Sequence, residues 1–186
     1  MEIVATSTNL HHQYPTNASV GDVFCLWYAL WTRSRHEAVV REQLRRKEIE
    51  VFLPTVERWS RWKNRRKKIE WPLFPGYCFA RFRTDQSLAI LTTVGVVAIV
   101  SFRGKPAPVA EEEVDALRRV MDTQVAYDPC PLTKEGCLVE VINGPLTGVI
   151  GRLVQKDTQQ PAVILGVELI NQGVRVRVHP ADVRPV

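Results

Sequence analysis

Long apolar runs are missing from this chain: nowhere does it approach the roughly 18 consecutive apolar residues that a membrane-spanning helix requires. The first 24 residues lack a basic start followed by an apolar core, so they predict no secretory signal and read as a polar arm. A cytoplasmic protein without a membrane partner is the resulting expectation. Cysteine is scarce, with residues at 25, 78, 130 and 137 and no Cys-x-x-Cys pair, and the four histidines are not spaced to complete a zinc site. No metal site is therefore assigned. The thiols are expected to be reduced, with Cys25 and Cys78 serving as small apolar fillers inside strands. Charge of one sign does not dominate either: a net +5 at pH 7 is weak ground, taken alone, for a nucleic-acid partner. No nucleophile sits beside a base and no glycine loop is built to cradle phosphate, so no catalytic residue and no cofactor are assigned and an enzyme ranks last. Internal repeats and low-complexity tracts are absent.

What is present is enough hydrophobic residue, 45% of 186, for one ordinary domain or two small ones. The most informative stretch is Leu73-Phe74-Pro75-Gly76-Tyr77, which opens a strand over 77–82. Proline fixes φ and glycine admits φ > 0, so the two flanking rings are aimed by a turn. Upstream, residues 25–32 are apolar on both alternating faces, as in a strand buried on both sides. Ser34 and Glu37 have capping-box spacing and predict a helix to about Glu48, with Val40 and Leu44 facing inward. Residues 58–68 hold seven cations among eleven, interleaved with Trp59 and Trp62, and predict an exposed hairpin or loop. A short helix over 84–93, a strand over 96–102 and a helix over 111–121 follow. That last helix has Glu111, Glu112 and Glu113 in its first turn and Arg118 and Arg119 in its last, which suits the helix dipole.

The order of elements describes a small α+β sandwich with helices against one face of an antiparallel sheet. Residues 122–135, with Asp-Pro-Cys-Pro and no periodicity, read as a linker. From Gly136 the pattern changes to five short Val- and Ile-rich strands with turns at Asn143-Gly144, Asp157 and Asn171-Gln172-Gly173, which argues for a small β-barrel. The expected organisation is an arm over 1–24, a first domain over 25–121, the linker over 122–135 and a second domain over 136–186.

With these residues in view the chain resembles the NusG family of transcription elongation factors. The resemblance spans about 25–186 and rests on Trp27-Tyr28-Ala29-Leu30, Leu73-Phe74-Pro75-Gly76-Tyr77, Lys105-Pro106-Ala107-Pro108-Val109 before the acidic helix, and the KOW-like Gly144-Pro145-Leu146-Thr147-Gly148-Val149-Ile150-Gly151. It implies a ferredoxin-like N-terminal domain that binds the clamp of the largest catalytic subunit of RNA polymerase, joined to an SH3-like KOW barrel that recruits a partner. It further implies action as a monomer that suppresses pausing or termination. Three features favour a specialised, RfaH-like, operon-directed antiterminator over the housekeeping factor: the arm, the enlarged basic tract and an altered barrel loop. An RNA- or ribosome-binding KOW protein is the rival from another class.

Carried onto this sequence, the resemblance makes Phe74, Pro75 and Tyr77, with Trp31 on the neighbouring strand, the polymerase-binding patch. Burial as core is the alternative reading, strongest for Trp31. Arg33, Arg35, Gln43, Arg46 and Lys47 match the surface that contacts non-template or upstream DNA, against the alternative of a solvated helix face. Arg61, Lys63, Arg65, Arg66, Lys67 and Lys68 are candidates for salt-sensitive phosphate contact, on grounds of local charge and indoles rather than of family. In the barrel, Gly144, Pro145, Gly148 and Gly151 read as turn and backbone positions. Leu169, Ile170 and Gln172 occupy the loop that meets the recruited partner, where the family carries an Ile-Phe pair and an arginine. That departure disfavours a termination factor, while a small-subunit ribosomal protein stays open as a partner that the resemblance implies. The Val- and Gly-rich barrel segment is expected to stay in strands, not to refold into helices.

Overall fold

The computed structural model describes residues 24–62, 65–123, 125–132, 136–154 and 161–186, and within 58–68 the backbone alone. Its first part runs through β1 (Leu26–Thr32), α1 (Glu37–Arg46), β2 (Glu50–Phe52), β3 (Thr55–Trp62), β4 (Arg65–Pro72), β5 (Tyr77–Phe82), α2 (Ser87–Leu91) and β6 (Val96–Ile99). Three two-residue strands follow, β7 (Ser101–Phe102), β8 (Lys105–Pro106) and β9 (Pro108–Val109), then α3 (Glu111–Asp122). The main sheet has the antiparallel order β2-β5-β1-β6, and β9 pairs with the start of β1. The expected arm, residues 1–24, lies outside the described residues except for Phe24.

The doubly apolar pattern of β1 follows from cover on both sides. Tyr28 and Leu30 belong to one hydrophobic cluster with Val40 and Leu44 of α1 and Ile90 of α2. Trp27 and Ala29 point the other way and join Val114, Leu117 and Val120 of α3. The expectation that helices cover only one face is therefore corrected. The stripe of α3 also needs a partner, and the second face supplies it. Arg118 lies 4.8 Å over the Trp27 ring and 5.3 Å from the centroid of Phe52, and donates to Glu50 at 2.8 Å. At the other end of the same face, Trp31 is left 51% exposed.

The start of α1 departs from the capping-box reading. His36 is the N-cap, with no side-chain cap bond, and Arg35 turns the chain with φ 63°. Ser34 is two residues too early to cap the helix, and the Glu37 carboxylate accepts from the Gly76 N–H instead.

The second part holds β10 (Tyr127–Pro131), β11 (Cys137–Val141), β12 (Ile150–Val154), β13 (Ala162–Val167), β14 (Gln172–Arg177) and β15 (Val183–Pro185). They form one antiparallel sheet in the order β10-β14-β13-β12-β11-β15. The segment expected to remain strand holds strand. Among the described residues the sheet does not close into a barrel: β10 and β15 are its two edges, and both carry proline, which blunts edge pairing. β10 falls within the stretch read as linker and pairs residue by residue with β14, from Tyr127 opposite Val176 to Pro131 opposite Gln172. Its prolines hide the strand from periodicity and suit it to an edge.

The two parts touch through α3 and β13. Arg119 Nη1 donates to the Thr147 carbonyl at 2.9 Å, and the Glu168 N–H donates to Glu113 Oε1 at 3.0 Å. One hydrophobic cluster runs from Trp27, Phe74 and Phe79 through Val114 and Leu117 to Val139, Val163 and Val174.

Candidate functional site

Residues 74–77 form a type II turn: the Tyr77 N–H donates to the Phe74 carbonyl at 3.0 Å, Pro75 holds the second position and Gly76 the third with φ 85°. Both peptide planes beside Gly76 are bonded. The Gly76 carbonyl accepts from the Thr32 N–H at 2.8 Å, and the Gly76 N–H donates to Glu37 Oε1 at 2.8 Å. The turn sits against the end of β1, where Trp31 is directly opposite Tyr77 and its ring lies 3.9 Å from where a Gly76 Cβ would stand.

Three of the four residues expected to meet the polymerase share an accessible edge. Trp31 and Pro75 are exposed and Tyr77 is half-buried. Phe74 does not join them. It is 1% exposed and edge-on to Phe79, with ring centroids 6.3 Å apart. The first residue of the turn ends the chain's approach to the sheet, so its ring fills core while the tip presents Pro75.

The α1 rim is similarly divided. Arg33, Arg35 and Arg46 are exposed. Gln43 Nε2 donates to the Val94 carbonyl at 3.1 Å, and Lys47 Nζ donates to the Ala89 carbonyl at 2.7 Å and Thr93 Oγ1 at 2.8 Å. Gln43 and Lys47 thus brace α1 against α2 and the turn after it. β3 and β4 form the hairpin expected for the basic tract, paired from Thr55–Pro72 to Trp62–Arg65. The side chains of Arg61, Lys63, Arg65, Arg66, Lys67 and Lys68 lie outside the described residues.

In the second part, the β11–β12 turn carries Gly144 and Gly148 at φ 87° and 83° and an exposed Pro145. Gly151 is buried on β12, where a Cβ would stand 2.8 Å from the Ile164 carbonyl oxygen, so the close approach of β13 requires glycine. Leu169 and Ile170 lie in a single 3₁₀ turn whose first residue, Glu168, is bonded to Glu113 of α3. Ile170 is 8% exposed and Leu169 half-buried in the same cluster as α3. Gln172 borders a cleft of about 310 Å³ with Pro129, Cys130 and Pro131 on one side and Trp71, Leu73 and Pro75 on the other. Candidate residues from both parts therefore meet at one groove.

Electrostatics mark the thiols. Burial, then the nearby Glu37 charge, pushes the Cys78 thiol up to about 12. Burial raises Cys130 against the lowering effect of Arg175. Both shifts favour the neutral thiol over the thiolate. Sequence reasoning missed the role of Glu37: its partner is 39 residues away, and its spacing from Ser34 offered a local role instead.

The family model described as transcription termination factor nusG matches residues 26–118, half of the chain. The transcription termination/antitermination protein NusG of Halalkalibacterium halodurans is 31% identical over 145 residues, covering 68% of this chain and 79% of its own. The NusG of Helicobacter pylori strain 26695 is 23% identical over 172 residues, 86% of this chain and 98% of its own. A solved structure of domain interaction in Thermotoga maritima NusG shares the fold, with a TM-score of 0.51 at 22% identity, over 87% of this chain and 97% of that one.

Proposed function

The chain belongs to the NusG family of transcription termination/antitermination factors, and we propose that within it the chain is an elongation factor that binds RNA polymerase through the edge made by Trp31, Pro75 and Tyr77. The observation that carries the reading is that this aromatic edge stays open on a sheet face otherwise covered by α3. A rigid, partly exposed aromatic pair on a strand end has the character of an interface anchor. The clamp of the largest catalytic subunit is the surface proposed to receive it.

The mechanism is binding energy alone. A factor bound across the polymerase favours the active elongation conformation over the paused one, and a preference of about 1.4 kcal/mol changes their ratio roughly tenfold. Arg33, Arg35 and Arg46, exposed at the start and end of α1, are proposed to hold non-template or upstream DNA, assisted by the cations of the β3–β4 hairpin. Residues 25–121 are the polymerase-binding domain in this reading, and 136–186 a KOW module that recruits a partner beside Gln172, while Leu169 and Ile170 pack toward α3. The substituted loop, without the family's aromatic ring and cation, disfavours a termination factor as that partner and supports a specialised, operon-directed role.

Single-round transcription on a template with a strong pause and an exposed non-template strand tests the proposal. The intact protein should shorten the pause, and a folded Trp31→Ala/Tyr77→Ala protein should not. Equal pausing with and without the intact protein, on every template bearing such a strand, contradicts it.

A further inference from the structure

We propose that Glu37 is a positioning residue for the polymerase-binding edge, selecting the type II form of the Phe74–Tyr77 turn by holding the Gly76 N–H; the inference rests on the reading of that edge given above. Glu37 is 3% exposed, and an ionised carboxylate in such a place is costly unless it is hydrogen-bonded. It does not cap its own helix, which has no side-chain cap bond. Its oxygen instead lies 2.8 Å from the Gly76 nitrogen, across the fold.

The choice of partner matters because of what that N–H belongs to. Types I and II differ mainly by a flip of the peptide between the second and third turn residues, here the Pro75–Gly76 peptide. In the observed turn its N–H faces Glu37. After the flip its carbonyl oxygen would face the carboxylate, exchanging a charge-assisted bond for repulsion between two acceptors. β5 begins at Tyr77, so the strand ladder gives Gly76 N–H no partner of its own. The next peptide is fixed separately, by the Thr32 N–H on the Gly76 carbonyl. One acid on α1 and one backbone group on β1 therefore fix both planes around Gly76, and with them the disposition of Pro75 and Tyr77 beside Trp31.

The test uses the full chain, ¹⁵N-labelled, and reads Gly76 directly. Amide exchange of Gly76 is compared with that of Gly104, which has a similar φ of 76° but no heavy atom within 4 Å of its Cβ position. In Glu37→Ala the Gly76 amide should exchange at least about tenfold faster relative to Gly104, the loss of one bond worth about 1.4 kcal/mol. Polymerase affinity should fall with it, and adding Trp31→Ala/Tyr77→Ala should cost little further, because the acid acts through the same edge. Glu37→Gln, which keeps a carbonyl acceptor at the same reach, should recover most of both. If Glu37→Ala does not fold, Glu37→Asp, one methylene short, takes its place under the same criteria. Unchanged Gly76 exchange overturns the inference, as does lost affinity that simply adds to the edge variants. Failure of the edge reading is seen separately: there, Trp31→Ala/Tyr77→Ala would bind polymerase as the parent does.

Discussion

Trp31 and Phe74 divide the duties of the turn, one as surface and one as core, and they should fail differently. Phe74→Ala removes a ring that is 1% exposed and should cost about 3–5 kcal/mol of stability in urea unfolding. Trp31→Ala, at 51% exposure, should change stability by less than about 1 kcal/mol while weakening polymerase binding by more than about 2 kcal/mol. The thiols offer a check on burial. With Cys78 pushed up to about 12, its thiolate is scarce at pH 8, so a thiol reagent should modify exposed Cys25 and Cys137 in the folded chain and spare Cys78 until it unfolds. A Cys78 that reacts as fast as Cys137 contradicts the packing described. At this scale the sequence was readable where residues act through neighbours, as with Pro75 and Gly76. It was unreadable for Glu37, Gln43 and Lys47, whose partners Gly76, Val94 and Ala89 lie far along the chain.

The β3–β4 hairpin carries the densest run of cations in the sequence. Seven cations among residues 58–68 are the ground on which it is proposed to attract phosphate without regard to sequence. Replacing Lys63, Arg65, Arg66, Lys67 and Lys68 by glutamine should weaken single-stranded DNA binding and flatten the log affinity–log salt slope, by about 0.7 for each phosphate that is no longer neutralised. An unchanged slope in a salt titration removes the hairpin from the nucleic-acid surface. The hairpin, α1 and the acidic start of α3 were legible because charge runs and apolar spacing are local signals. β10 was not, since its Pro129 and Pro131 read as loop, and pairing with β14 across 40 or more residues leaves no mark on the segment itself.

Across the whole molecule, α3 is the hinge between two uses of the chain, packing on the sheet with one side and on β13 with another. The change in pattern near Gly136 marks the strand-rich stretch, but the second sheet already begins with β10 at Tyr127. The contact between the two parts could not be read, because Glu113 and Arg119 already had a sufficient reading as complements of the helix dipole. Arg119→Ala should loosen that contact, seen as faster amide exchange at Gly148 and Glu168 with the exchange of β1 and β5 unchanged. Loss of protection throughout would mean that the two parts unfold as one.

The measurement that bears most directly on the polymerase-binding reading is the equilibrium affinity of the intact chain for core RNA polymerase, beside that of Trp31→Ala/Tyr77→Ala, at a salt concentration that suppresses non-specific binding to nucleic acid. With both proteins shown to be folded by circular dichroism, the expected result is tight binding by the parent and a loss of about thirtyfold or more in the variant, corresponding to about 2 kcal/mol or more. Equal affinities, or no binding by the parent, would contradict it.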